Sequence, residues 1–140
     1  MSYRLILLRI FSYAFIVALG QLRAHAESSA KTVSLSDAKR LVVEAIKSQY
    51  PSASVNDYKN ENEANFYLFE VSWDNRNGSM IAGHFAVNSL TGDLWSIEGA
   101  VCSQLDGTAL VRRQEEIRKR LRLNRSDYDR LHALKPVECD

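Results

Sequence analysis

The sequence predicts an α+β fold: an N-terminal helix packed on an antiparallel meander of three to four strands, with a C-terminal basic helix and a short final helix. Three observations carry this. Apolar residues recur at helical spacing between Ser34 and Pro51, two-residue alternation runs through ANFYLFEVSW, SMIAGHFAVN and DLWSIEG, and glycine-ended turns separate those runs. Alternating runs joined by tight reversals place neighbouring strands antiparallel.

Residues 1–26 read as a secretory signal. Arg4 and Arg9 precede an apolar run from Ile10 to Leu19, and Ala24 and Ala26 flank His25 in an A-x-A pattern. That run is about half the roughly 20 residues a membrane-spanning helix needs, so a permanent anchor is the weaker reading. Cleavage after Ala26 leaves a soluble chain in the periplasm or outside the cell. Residues 27–33 form a flexible polar leader, and residues 34–140 a single α+β domain.

Ser34-Leu-Ser-Asp37 is a capping-box pattern opening the first helix. Ala38, Leu41, Val42, Ala45, Ile46 and Gln49 share one face, and Pro51 stops the helix by disfavouring helical geometry at Tyr50. A first strand lies between Ser52 and Asn60, carried by Val55 and Tyr58. The three alternating runs follow as consecutive strands. Beyond Cys102, TALVRRQEEIRKRLRL presents only Leu110, Gln114, Ile117 and Leu121 on a narrow apolar stripe. Ser126-Asp-Tyr-Asp129 opens a short helix that ends near Lys135-Pro136.

Charge is unevenly placed. The exported chain has 15 Lys+Arg against 17 Asp+Glu, but residues 27–106 hold 6 basic and 11 acidic residues while residues 107–135 hold 9 and 4. A body of −5 joined to a tail of +5 steers a charged partner, or packs its basic helix beside its own acidic sheet. Cys102 and Cys139 are the two cysteines. An oxidising compartment favours pairing them; two free thiols or one intermolecular link are the alternatives. With His84 and His132 the remaining histidines and no ligand-like spacing, no metal, cofactor or nucleic acid is expected.

Turn geometry predicts where side chains point. If Arg76-Asn77-Gly78 is a three-residue loop, Asn75 pairs with Ser79, Val71 with Gly83 and Phe69 with Phe85, an apolar set. Leu90-Thr-Gly92 treated likewise pairs Phe85 with Ile97 and Val87 with Trp95, making both tryptophans core anchors between helix and sheet. On the opposite face Glu70, His84 and Glu98 then become neighbours, with the imidazole turned away from the helix. Such a row keeps an open sheet face soluble, or docks a protein together with the hairpin tip Asn75, Arg76 and Asn77. A histidine between carboxylates is also an acid/base arrangement, but no nucleophile motif or phosphate loop accompanies it. A non-catalytic protein is expected.

The strand Tyr67 to Trp73, the strand Phe85-Ala-Val-Asn88, and Thr91-Gly-Asp93 leading into Trp95 resemble a PepSY-like or cystatin-like domain over residues 34–99. The basic helix and the cysteine pair depart from the PepSY pattern. Small exported domains of this kind are similar to peptidase inhibitors and to periplasmic immunity proteins of type VI secretion systems. The resemblance implies a binding protein that occludes a secreted toxin or hydrolase; a small-ligand or envelope-polymer module with a groove between helix and sheet is the alternative.

Overall fold

A computed structural model describes residues 31–58, 63–75, 78–137 and 139. The signal-like segment, residues 27–30 of the leader, and Arg76 and Asn77 lie outside the described residues. No helix among the described residues is long and apolar enough to cross a membrane.

The architecture is α+β, with five strands rather than three or four. Helix α1 (Leu35–Ile46) precedes strands β1 (Ser54–Tyr58), β2 (Phe66–Asn75), β3 (Gly78–Asn88), β4 (Leu94–Glu98) and β5 (Val101–Gln104), then helices α2 (Thr108–Leu121) and α3 (Arg125–His132). The strands form one antiparallel sheet in sequence order. Strand β5 carries no alternating apolar pattern. It pairs because Gly99, at φ 63°, begins a two-residue reversal that sets Glu98 opposite Val101.

Ser34 caps α1 as its spacing predicts: its Oγ accepts from the Asp37 amide at 3.1 Å and donates to the Asp37 carboxylate at 2.9 Å. Burial of Asp37 acts to raise its pKa, but the Ser34 and Arg120 hydrogen bonds and the Arg120 charge outweigh it and hold the carboxyl below its ordinary 3.8. The helix ends at Ile46, short of Pro51. Gln49 and Tyr50 instead donate to the Ile46 carbonyl in a closing turn, because Lys47, Ser48 and Gln49 are exposed and add nothing to the buried stripe.

Val33, expected in the flexible leader, is buried in the core. Its amide donates to the Ser89 carbonyl at 2.8 Å and its carbonyl accepts from the Tyr67 hydroxyl at 2.9 Å, so ordered structure begins ahead of the helix cap. The main core lies between the helices and the inner sheet face: Ala38, Leu41 and Val42 of α1, Phe69, Val71, Phe85, Val87 and Leu94 of the sheet, and Leu110 and Ile117 of α2. Gln114, polar within that α2 stripe, is buried and donates to the Gly92 carbonyl at 3.1 Å.

Candidate functional site

Two departures from the expected turns decide which side chains reach the outer face. Asn75 stands opposite Gly78, so the hairpin end sits one residue out of the expected register: Trp73 faces Met80. A bulge between Val71 and Ser72 on one side and Ile81 and Gly83 on the other then absorbs one extra residue of β3, and from there the pairing is as expected, Val71 with Gly83, Glu70 with His84, Phe69 with Phe85. Two local deviations cancel.

The second reversal has no compensating bulge. The Asn88 side chain accepts from the Leu90 amide at 2.8 Å and the Asn88 amide donates to the Asp93 carbonyl at 2.8 Å, which opens the loop one residue earlier than a three-residue turn. Gly92, at φ 78°, sits where a Cβ would meet Ile117 at 3.4 Å. Strand β4 therefore slips by one: His84 faces Ile97, Phe85 faces Ser96 and Ala86 faces Trp95. A slip of one exchanges the faces of a strand. Glu98 consequently lies on the other face from Glu70 and His84, and the expected three-member row is a pair. Trp95 likewise leaves the main core, whereas Trp73 stays on the helix side, 5.6 Å from the Tyr50 ring.

The outer face has two halves. In one, Leu68, Ala86 and Ile97 with Phe66 and Trp95 form a second apolar cluster, covered by the C-terminal segment. Cys139 is bonded to Cys102 of β5, with the Cα atoms 5.4 Å apart, and the Val137 amide donates to Glu63 at 2.8 Å. The Trp95 indole nitrogen is buried there without a hydrogen-bond partner among the described residues. The other half is open. His84 is 42% exposed along its side chain, with Nε2 at 3.6 Å from Glu70. Tyr58 is 47% exposed, its ring tilted against the imidazole at 5.6 Å, and Ile81 is 60% exposed. Asn75 ends β2 at the hairpin beside this half.

A second constellation joins the β3–β4 turn to both C-terminal helices. The Asp93 carboxylate, 1% exposed, accepts from Arg118 Nη2 at 2.6 Å, from the Thr91 hydroxyl at 2.6 Å and from the Tyr128 hydroxyl at 3.3 Å, and lies 3.0 Å from His132 Nδ1. The Arg118 guanidinium stacks 4.3 Å over the Tyr128 ring. Burial first, then the Asp93 charge, raises the Tyr128 pKa above its ordinary 10.0 against the lowering effect of Arg118. Residues 93, 118, 128 and 132 are scattered in sequence and Asp93 reads as an ordinary turn residue, so spacing held no signal for the cluster. Every oxygen of Asp93 is committed to a structural partner, and the arrangement works as a clamp.

Chemically, the open half of the outer face offers hydrogen bonding, charge and apolar contact. Among the described residues no group of three or more His, Cys, Asp or Glu side chains is placed to hold a metal ion.

No protein-family model and no curated protein matches the sequence. Among solved structures, the fold is similar to that of a chain from a type VI secretion system effector–immunity complex of Pseudomonas protegens. The TM-score is 0.58 at 22% identity, over 76% of this chain and 91% of that one.

Proposed function

We propose that this chain is an exported, non-catalytic immunity protein that binds a type VI secretion effector acting on the cell wall in the periplasm, and occludes it. The observation that carries the reading is the fold it has in common with a chain of an effector–immunity complex, over most of both chains. Two features support the compartment. Residues 1–26 have the charge, apolar run and A-x-A ending of a cleaved leader, and the Cys102–Cys139 disulfide suits an oxidising space.

Occlusion asks for a rigid surface of about 800 Å² per partner. The open half of the sheet, with Tyr58, Glu70, Ile81 and His84, together with the Asn75, Arg76 and Asn77 hairpin tip, is the surface proposed to meet the effector. Glu98 belongs to the opposite face and is left out. The resemblance to PepSY-like and cystatin-like domains favours a second reading, a peptidase inhibitor or a small-ligand module. The groove such a ligand would use between α1 and the sheet is filled by Leu41, Val42, Phe69, Val71 and Val87, all fully buried.

The test pairs this chain with a secreted hydrolase that co-purifies with it from periplasm-exposed cells. Co-expression with the full leader should protect periplasm-exposed cells and yield a one-to-one complex with the hydrolase inactive. Deleting residues 2–26 should abolish protection while the complex still forms in vitro. No complex and no protection would overturn the reading.

A further inference from the structure

We infer that the notch between Tyr58, Glu70 and His84 receives a basic side chain, arginine or lysine, from the protein docked on the outer face. The partner's identity rests on the immunity reading above; the chemistry of the notch does not.

The notch is a cavity of about 60 Å³ lined by Tyr58, Leu68, Phe69, His84, Phe85 and Ile97. A notch of this size on an open sheet face admits the stem of one side chain. Its walls are mostly apolar, and its rim is not. Register sets Glu70 between Asn56 on β1 and His84 on β3, and its carboxylate lies 3.6 Å from Nε2 of His84, which lines the cavity. At 3.6 Å the His84 contact is too long for a hydrogen bond. Glu70 therefore retains acceptor capacity for a visitor.

Three properties together select a long cationic side chain. Methylene stems of lysine and arginine lie well along apolar walls while the charged head stays at the rim. The half-exposed Tyr58 ring offers a face to the cation, and Glu70 supplies a charge-assisted hydrogen bond. Other occupants fit worse. An acidic side chain meets the Glu70 charge, and a purely apolar one strips water from that carboxylate without replacing its hydrogen bonds. The wider field points the same way, since residues 27–106, which hold the first helix and all five strands, carry 11 acidic against 6 basic residues.

The first experiment needs no effector. Nα-acetyl-arginine methylamide is titrated in the millimolar range into the isotope-labelled protein, with the uncharged isostere Nα-acetyl-citrulline methylamide as control. Saturable NMR shifts at Tyr58, Glu70 and His84 are expected with arginine alone, lost in Glu70→Gln and weakened in Tyr58→Leu. Equal shifts from citrulline, or no saturable shift at these residues, would overturn the inference. The second experiment uses the hydrolase that co-purifies with the chain. Glu70→Lys should weaken binding at least about tenfold, and one Arg→Glu or Lys→Glu change in the hydrolase should restore it. If the hydrolase binds wild type and Glu70→Lys equally, the notch is not the contact, though the immunity reading stands. If it binds neither, the immunity reading fails and the arginine titration still decides the notch.

Discussion

Asp93 shows how one turn residue ties three elements together. Its carboxylate is almost wholly removed from water, and it is stable there because Arg118, Thr91, Tyr128 and His132 surround it. A buried ion pair adds little net stability compared with an apolar replacement, yet removing one partner leaves the other charge buried and uncompensated. Arg118 is only 20% exposed along its side chain. Asp93→Ala is therefore expected to lower unfolding free energy by about 3 kcal/mol, read from the urea midpoint at unchanged slope. Arg118→Met in the same background should recover part of that loss, giving a non-additive double-mutant cycle. Additive losses would mean that the pair is not coupled and that the clamp is held by packing alone.

Between elements, the α1 cap does more than start a helix. Asp37 accepts from Ser34 and also from Arg120 of α2 at 3.0 Å, so the first and second helices are joined through the cap. Because the folded carboxyl binds its proton less tightly than the unfolded one, its stabilisation is fully present above pH 3.8 and fades as pH falls through the lower folded value. Acid unfolding curves of Arg120→Gln and Ser34→Ala are expected to show a shallower loss of stability below pH 3.8 than wild type; parallel curves would remove Asp37 from the acid transition. This cap was legible in four consecutive residues, as were the α2 stripe and the alternation of β2 and β3, because each is a local pattern with a fixed period. What sequence did not carry was the closure of turns. The β2–β3 register is as expected below the bulge only because the one-residue shift at the hairpin end and the extra β3 residue offset one another. At the β3–β4 turn the Asn88 side chain selected a longer loop, and that single residue moved Glu98, Trp95 and Ile97 to the opposite faces from those predicted. Of the candidate site, the Glu70 and His84 pairing was readable; the Tyr58 wall needed the β1 register, and the Asp93 clamp needed the tertiary fold.

Across the whole molecule, the two-ended charge pattern is folded back on itself. Arg118 and Arg120 of the basic segment pair with Asp93 and Asp37 of the acidic body, which spends part of the tail's charge on internal packing. The C-terminal segment lies against the outer sheet face. Beyond α3 its attachments include the Val137 amide to Glu63 and the disulfide to β5, with the Cys139 amide turned back onto the Pro136 carbonyl. A link across 37 residues lowers the entropy of the unfolded chain by an amount worth about 4 kcal/mol in the chain-entropy model. It also keeps the segment over Leu68, Ala86, Ile97 and Trp95. The double variant Cys102→Ser and Cys139→Ser should therefore lose about 3–4 kcal/mol of stability. Its Trp95 emission should shift to the red as water reaches the indole, and a protease should trim the chain after α3. Equal stability and unchanged emission in the double variant would mean that the segment is held by its apolar contacts and the Glu63 hydrogen bond, with the disulfide redundant.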